Sequence, residues 1–474
     1  DSEVLTALID QMYSEEHDML SVLKKLKNKL IGSYALGIMV EGENKLYAIR
    51  KDSPLIIGVA EDGNFIASDV PAILEFTNMY YLLLNDYYAV IDGSDVLIYD
   101  EHGKIVPANL EFYEGSLENA QKNGYEHFML KEIYEQPKVI NDTLLEYISN
   151  MDNFYEKFKG LEKYSSIDIV GCGSAYHVGL VGKNLIMKYG NINVNVEIAS
   201  EYRYTKHIYG KKHLIILISQ SGETADTLAV LRKANQDKID TLAIVNVVGS
   251  SIAREAKKVL YIKVGPEIAV ATTKAYSCQL VLLSLIACYL GIKKGSLKES
   301  ILKEYNKIEG YMNDILSNKE IDKLAKKIYK NKDVFFIGRK VDYALCMEGS
   351  LKLKEVSYLH SEAYPAGELK HGTISLIEKN TPVISIVTDN DIKLKTLSNT
   401  KEVCARGAYS IIISNQEIGD KDLYKELLLV PKVSDLISSN LVIVYCQLLA
   451  YYIAKYNGCD IDKPRNLAKS VTVE

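Results

Sequence analysis

The stretch LIILISQSGETADT, residues 214–227, decides how this chain folds. Its apolar run, Leu214 to Ile218, stops abruptly at Ser219, Gln220, Ser221, Gly222, Glu223 and Thr224. A run that is apolar at every position reads as a strand buried on both faces, as in a parallel sheet, and the ADTLAVLRKANQ that follows has apolar residues at helical spacing. The hydroxyl-rich residues therefore occupy a strand-to-helix turn. In open α/β sheets such turns lie beyond the carboxyl ends of the strands, where a helix N-terminus offers free N–H groups and a positive dipole end. Ser219, Gln220, Ser221 and Thr224 add side-chain donors there, and Ser174, in GCGSAYHVG, occupies the matching turn after an earlier apolar run. Phosphate or a phosphorylated sugar is the natural ligand. Helix capping, the commonest use of such residues, is the better explanation of one such turn taken alone; two donor-rich turns in one domain weaken that explanation. Glu223 sits awkwardly beside an anion.

Working outward, short apolar runs alternate with helical patterns from Ile167 onward: IDIVGCG, HLIILIS, TLAIVNV and VLYIKV. After a charged helical stretch near residues 306–330 the pattern restarts with DVFFIGR, PVISIVT, AYSIIIS and LLLVP. Alternation of this kind is the mark of βαβ units on a parallel sheet. The two blocks share one order of parts, so we expect an internal duplication. The fold class is α/β, with two tandem doubly wound parallel-sheet domains at residues 151–295 and 320–458. Upstream, SEVLTALIDQMYSEEHDMLSVLKKLKNKL reads as one helix, followed by SYALGIMVEG, KLYAIRKD, PLIIGVAEDGNFIASD and YYAVIDGSDVLIYD. Turn pairs such as Asp62-Gly63 and Asp92-Gly93 separate alternating runs, which predicts antiparallel sheet over residues 1–110. Residues 111–150 read as a linker and 459–474 as a C-terminal tail.

At 474 residues the chain exceeds one core. A formal net charge of -6 argues against a nucleic-acid binder. The seven cysteines, Cys172, Cys278, Cys288, Cys346, Cys404, Cys446 and Cys459, show no CxxC pair and no metal-ligand spacing, as suits reduced thiols in the cytoplasm. CQLVLLSLIACYLGI and LVIVYCQLLAYYIA are shorter than the roughly 18 to 20 apolar residues a membrane span needs, and read as buried core helices. The chain begins at Asp1 without an initiator methionine or a signal-peptide pattern, as a processed or excised chain would.

A second motif lies in EGSLKLKEVSYLHSEAYPAGELKHG. Lys352 and Glu355, three apart on a predicted helix, project on one face. Lys/Glu-rich helices usually present such a face to solvent. Here, however, the helix runs into Pro365, Gly367 and Gly372, which are expected to stop it and place His371 on a loop. A base, a lysine and a histidine near a sugar phosphate are what aldose–ketose isomerisation requires. The tail holds Arg465 and Lys469, which would ordinarily be read as a disordered, solvated end.

SQSGETADT, with GCGSAY before it and ATTKAY after it, resembles the first sugar isomerase (SIS) domain of the isomerising glutamine:fructose-6-phosphate aminotransferases. The likeness continues through the second motif and the terminal PRNLAKSVTVE, and spans essentially the whole chain. It implies an enzyme that makes glucosamine 6-phosphate from fructose 6-phosphate and glutamine-derived ammonia, at the start of hexosamine synthesis. It implies no metal or organic cofactor, no nucleic acid, no membrane, and a cytoplasmic homodimer. Residue by residue, it makes Ser174, Ser219, Gln220, Ser221 and Thr224 binders of phosphate and sugar, with Val270 and Ala468 as main-chain contacts. Glu355 resembles the base that shuttles the C1/C2 proton, with Lys352 beside it, and His371 the ring-opening histidine that arrives from the neighbouring subunit. Lys469 aligns with a tail lysine that forms a Schiff base with the keto carbon. Amine attack needs an unprotonated lysine, so burial or a neighbouring cation is expected there, Arg465 being the nearest in sequence.

The sequence also departs from the family. Ser174 stands where threonine is common, Ala175 where some relatives have a second serine, and Thr373 where proline is frequent. The family carries an N-terminal-nucleophile (αββα) glutaminase domain with a cysteine at its first residue, whereas this chain starts about halfway through that domain and has no cysteine before Cys172. Asp1 aligns with the aspartate that holds glutamine's amino group. The resemblance thus implies a partial glutaminase domain, an apolar sheet face left uncovered, and use of ammonia rather than glutamine by the chain as it stands. Two other readings stay open: a sugar-phosphate-binding regulatory module, which would have no use for Glu355, His371 and Lys469 together, and a phosphosugar isomerase without amination.

Overall fold

The computed structural model describes residues 2–93, 95–113 and 121–472. These form two compact bodies, one of the described residues within 2–121 with 223–225 and 470–472, the other of residues 122–222 and 226–469. Asp1 lies outside the described residues.

In the first body the expected single helix is two, α1 (Ser2–Glu16) and α2 (Met19–Leu26). The break has a local cause. His17 has φ +52°, and the Asp18 carboxylate accepts the N–H groups of Leu20 at 3.3 Å and Ser21 at 3.0 Å, capping a new helix start. Eight strands follow: β1 (Tyr34–Met39), β2 (Lys45–Lys51), β3 (Ile56–Ala60), β4 (Gly63–Ala67), β5 (Met79–Leu82), β6 (Tyr88–Asp92), β7 (Asp95–Tyr99) and β8 (Leu110–Phe112). They make two antiparallel four-stranded sheets, ordered β1-β2-β6-β7 and β4-β3-β5-β8. Alternation along the strands builds the layers. Tyr47 and Ile49 on β2 pack with Met19, Val22, Leu23 and Leu26 of α2, whereas the intervening Ala48 packs with Ile57 of the other sheet. Met39 on β1 and Phe112 on β8 stand exposed.

The second body opens with α3 (Phe128–Ile148) and α4 (Met151–Phe158), so the stretch read as a linker carries a 21-residue helix, its inner face buried. Next come β9 (Ser166–Gly171), α5 (Ser174–Gly190), β10 (Asn193–Ile198), α6 (Ala199–Tyr202), β11 (His213–Ser219), α7 (Ala225–Gln236), β12 (Asp240–Val245), α8 (Ser251–Glu255), β13 (Lys258–Tyr261) and α9 (Lys274–Lys294). After α10 (Ile308–Leu316) and α11 (Glu320–Ile328) the plan repeats. Its parts are β14 (Asp333–Gly338), α12 (Val341–Ser357), β15 (His360–Pro365), β16 (Pro382–Val387), α13 (Lys393–Cys404), β17 (Tyr409–Ser414), β18 (Glu426–Leu429) and α14 (Asp435–Tyr456). Two five-stranded parallel sheets result, β10-β9-β11-β12-β13 and β15-β14-β16-β17-β18, with the same strand order.

The duplication is visible position by position. Residues 166–171, 174–190 and 193–198 recur as 333–338, 341–357 and 360–365, a constant spacing of 167. Even the turns agree: Gly173 (φ 53°, ψ -123°) corresponds to Lys340 (φ 51°, ψ -120°), and both helices end on a left-handed residue, Asn191 and Tyr358. α12 therefore stops at Ser357, well before the proline and glycines expected to stop it, and the segment between them pairs with β14 as strand β15.

The two longest apolar stretches are α9 and α14, both 94% buried over their most apolar windows. A helix that is apolar all round belongs in a core. α9 packs on α5 and α14 on α12, and α5 packs on α12. Strand β11 is buried at all seven positions, as its sequence requires. Strand-to-helix turns are equally tight. A Cβ on Gly338 would lie 2.6 Å from the Asp342 carbonyl carbon, a backbone atom that cannot rotate away. Gly338→Ala is expected to destabilise the protein by about 1–3 kcal/mol, read as a lower denaturation midpoint. Gly310→Ala in α10, where the added methyl meets nothing within 4 Å, should be neutral or stabilising by up to about 1 kcal/mol.

Candidate active site

The turn after β11 is built to be rigid. Ser219 Oγ accepts the Gly222 N–H at 3.0 Å, Gln220 O accepts the Asn246 N–H at 3.1 Å, and Gly222 O accepts the Ile252 N–H at 3.0 Å. Gly222 has φ +67°, and a Cβ there would lie 2.0 Å from Ser250 Oγ, so only glycine fits. Gln220 and Ser221 are half-buried at the carboxyl end of the sheet. Thr224 falls in the short segment 223–225 of the first body, where the Ala225 N–H donates to Val471 O at 3.1 Å.

Ser174 begins α5, and its hydroxyl donates to Glu348 Oε1 at 2.8 Å. Glu348, on α12, is fully buried and also pairs through Oε2 with His177 Nδ1 at 2.8 Å. One turn further along α12, Lys352 is buried too, 3.6 Å from Glu348 and hydrogen-bonded to Glu355. Burial alone would depress the Lys352 ammonium, but the carboxylates of Glu355 and Glu348 outweigh it and raise the lysine above its ordinary value. Glu355 keeps 22% side-chain exposure, which leaves it the partner within reach of a ligand.

The tail is ordered by polar contacts. Asp462 accepts the N–H groups of Phe128 at 2.9 Å and Met129 at 3.0 Å, capping α3 from a remote part of the chain, and its carbonyl takes the Val270 N–H at 3.0 Å. The Arg465 guanidinium lies over the Tyr358 ring, 4.3 Å from its centroid. Lys469 Nζ donates to Glu267 Oε2 and to Ala269 O, both at 2.8 Å. The neighbour expected to be a cation is thus an anion, because Arg465 is engaged by Tyr358. Glu267 is itself fully buried and caps α9, accepting the N–H groups of Thr273 at 2.9 Å and Ala275 at 3.0 Å. Burial pushes Glu267 up, but the Lys469 charge and hydrogen bond, with those two N–H groups, more than offset it and hold the carboxylate low. Beside it, Glu132 on α3 accepts the Ala269 N–H at 3.1 Å, while its Oε2 is buried without a hydrogen-bond partner. Burial, then the nearby Glu267 charge, raises Glu132 well above the usual carboxylate range.

Lys352, Glu355 and Ser174 are therefore joined through Glu348, and the charge of Glu267, which holds Lys469, reaches Lys352. Val270 is half-buried near this tail contact and Ala468 is exposed. His371 is not among them: it ends a 3-10 turn (Glu368–His371) and is exposed. Sequence reasoning missed Glu348, His177, Glu267 and Glu132. Glu348 was readable, being four residues before Lys352 on one helix face. The Glu267–Lys469 pair spans 202 positions and leaves no periodic trace.

Comparison with known proteins identifies the family. The SIS domain family matches residues 160–289 and 327–425, one match in each repeat. The isomerizing glutamine–fructose-6-phosphate aminotransferase of Caldanaerobacter subterraneus subsp. tengcongensis is 47% identical over 486 residues, covering 100% of this chain and 80% of that protein. The chain belongs to the isomerising glutamine–fructose-6-phosphate aminotransferase family. The family member of Clostridium acetobutylicum is 46% identical over the same share of both chains. Among solved structures, the C-terminal domain of glucosamine-fructose-6-phosphate aminotransferase from Francisella tularensis aligns with TM-score 0.67 and 37% identity over 73% of this chain and 99% of its own. Glucosamine-6-phosphate deaminase from Thermotoga maritima, at TM-score 0.57 and 24% identity over 73% of this chain, shares the fold.

The two carboxyls beside the tail lysine have opposite pH signatures. Glu132 holds its proton to higher pH in the folded protein than in the unfolded chain, so it makes stability fall as pH rises from about 4.3, the unperturbed value, through the raised folded value. Glu267, held low, contributes stability that is present above its unfolded value and lost on acidification through its folded value. In Glu132→Gln the alkaline-side fall in melting temperature is expected to flatten while the acid limb persists, as thermal melts across pH 4 to 9 would register.

Proposed function

We propose that this chain forms glucosamine 6-phosphate from fructose 6-phosphate and ammonia, the ammonia deriving from glutamine in the complete reaction, and that it does so in the cytoplasm as a homodimer. The observation that carries the reading is the convergence of the tail lysine on Glu267 beside the buried Lys352–Glu355 pair, at the carboxyl end of a SIS-type sheet. Ser219, Gln220, Ser221 and Thr224 take the phosphate and sugar, helped by Ser174 and by main-chain groups of Val270 and Ala468, with Arg465 supporting the tail. A rigid turn suits this task because its donors are already aimed before the anion arrives.

Lys469 attacks the C2 carbonyl, expelling water and forming an imine. Its ammonium must first lose a proton, while the Glu267 carboxylate at 2.8 Å holds the lysine in place. Ammonia then replaces the lysine at C2. Glu355 removes the C1 proton and returns one to C2, which converts the ketose skeleton to the 2-amino aldose, while Lys352 holds the Glu355 carboxylate in place. His371, exposed on its own chain, opens the sugar ring in the partner subunit. Ordinary regulators bind sugar phosphates without any need of this proton machinery, which favours an enzyme over a binding module.

The test is formation of glucosamine 6-phosphate from fructose 6-phosphate with ammonium as nitrogen donor. Lys469→Ala is expected to abolish amination while leaving the fold intact by circular dichroism; normal turnover in that variant would refute the tail assignment. Glu355→Gln is expected to bind fructose 6-phosphate yet slow solvent deuterium incorporation at C1 by about 10²–10⁴-fold. Undiminished exchange, followed by proton NMR, would remove Glu355 as the base.

A further inference from the structure

The second repeat has a cleft where the first has its hydroxyl-rich turn. β16 holds in its sheet the place that β11 holds in the other, and the turn that follows reads Thr388, Asp389, Asn390, Asp391. This turn cannot cradle a phosphate. Its N–H groups are already taken: the buried Asp342 carboxylate accepts those of Thr388 at 2.8 Å and Asp389 at 3.2 Å. Asp389, Asp391 and Asp435 all line the cleft, whose volume is about 230 Å³, room for a monosaccharide. Asp435 is partly neutralised by Lys188 at 2.7 Å and Asp389 by Lys340 at 3.6 Å, which leaves an acidic surplus.

Polar atoms at the same cleft have no partner. Ser438 and Ser439, near the start of α14, are 6% and 3% exposed, and neither hydroxyl makes a hydrogen bond. Asn415, 6% exposed, uses its amide nitrogen on Thr388 O at 2.9 Å, and its Oδ1 is left without a donor. Burying a polar atom without a partner is unfavourable, and several around one cleft mark a surface suited to a polar ligand. Carboxylates and an amide oxygen accept hydrogen bonds only, and serine hydroxyls can do either. The complementary molecule is rich in donors. A metal ion is not favoured, because among the described residues no three His, Cys, Asp or Glu side chains are grouped to hold one.

We propose that this cleft is a second ligand site, taking a small hydroxyl-rich molecule that carries an ammonium group and no phosphate, an unphosphorylated amino sugar in class. The duplication thus has two outlets with opposite charge preference, an anion-taking turn in the first repeat and a cation-taking one in the second.

Saturation-transfer NMR with glucosamine as the probe tests it on the full chain. Glucosamine signals are expected with the parent protein and should persist when fructose 6-phosphate is in excess. Ser439→Leu, which fills the cleft, should abolish them, and Asp391→Asn, an exposed change that spares the fold and should keep the parent's melting temperature, should weaken binding about tenfold. Absence of signals with the parent, displacement by fructose 6-phosphate, or unchanged binding in Asp391→Asn would overturn the proposal. Because the two variants sit in the second repeat, their outcome is independent of whether fructose 6-phosphate is the substrate of the first.

Discussion

A fully buried lysine organises the second body. Lys352 sits on α12 between Glu348 and Glu355, and Glu348 in turn holds Ser174 and His177 of α5. An ionised group removed from water is tolerated only when its partners are placed correctly, and breaking such a pair typically costs about 3–5 kcal/mol. The register of α5 against α12 is therefore not free: a shift along either helix would strand a carboxylate or an ammonium. Close contacts set the same register by shape. Gly182 on α5 meets Leu283 of α9 too closely for a Cβ, and at Gly349, its counterpart 167 positions on, a Cβ would lie 2.9 Å from the Phe336 ring and 3.1 Å from Cys446 Sγ of α14. Electrostatics and packing thus specify one arrangement of the four central helices, and the candidate site inherits its geometry from that arrangement.

The tail extends the same logic to chain segments without regular structure. Asp462 caps α3, and Glu267 caps α9 while holding Lys469. Two helix N-termini, each with backbone donors that would otherwise lack acceptors, are satisfied by carboxylates that also anchor the irregular polypeptide near the site. An extended segment of few apolar residues is ordered this way because each contact satisfies a group that helix formation has exposed.

Much of this was legible in the chain. Continuous apolar runs announced β9, β11, β12, β14, β16 and β17, because strands covered on both faces need no polar positions, and α9 and α14 were apolar enough to be assigned to the core. Two of the edge strands, unlike β13 and β18, were not legible. NVNVEI and HSEAYP, which become β10 and β15, carry polar and charged residues suited to half-exposed edges, and their identity comes from pairing with β9 and β14. The break between α1 and α2 turned on a single aspartate whose capping geometry competes with helix continuation. At the site, Lys352 with Glu355 and the Ser219 turn could be read locally, whereas Glu267 and Glu132 act on residues far along the chain. Contacts of that range leave no spacing to recognise.

The duplicated halves share one interior. Residues from β9, α5 and α9 and from β14, α12 and α14 belong to a single contiguous apolar cluster, and α3 and the helices between the repeats join it as well. Neither copy can open without exposing the inner face of the other, so the repeats are not separate thermodynamic domains despite their matching topology. The cooperative unit of unfolding is the pair, and a lesion in either copy is felt as a loss of stability in both.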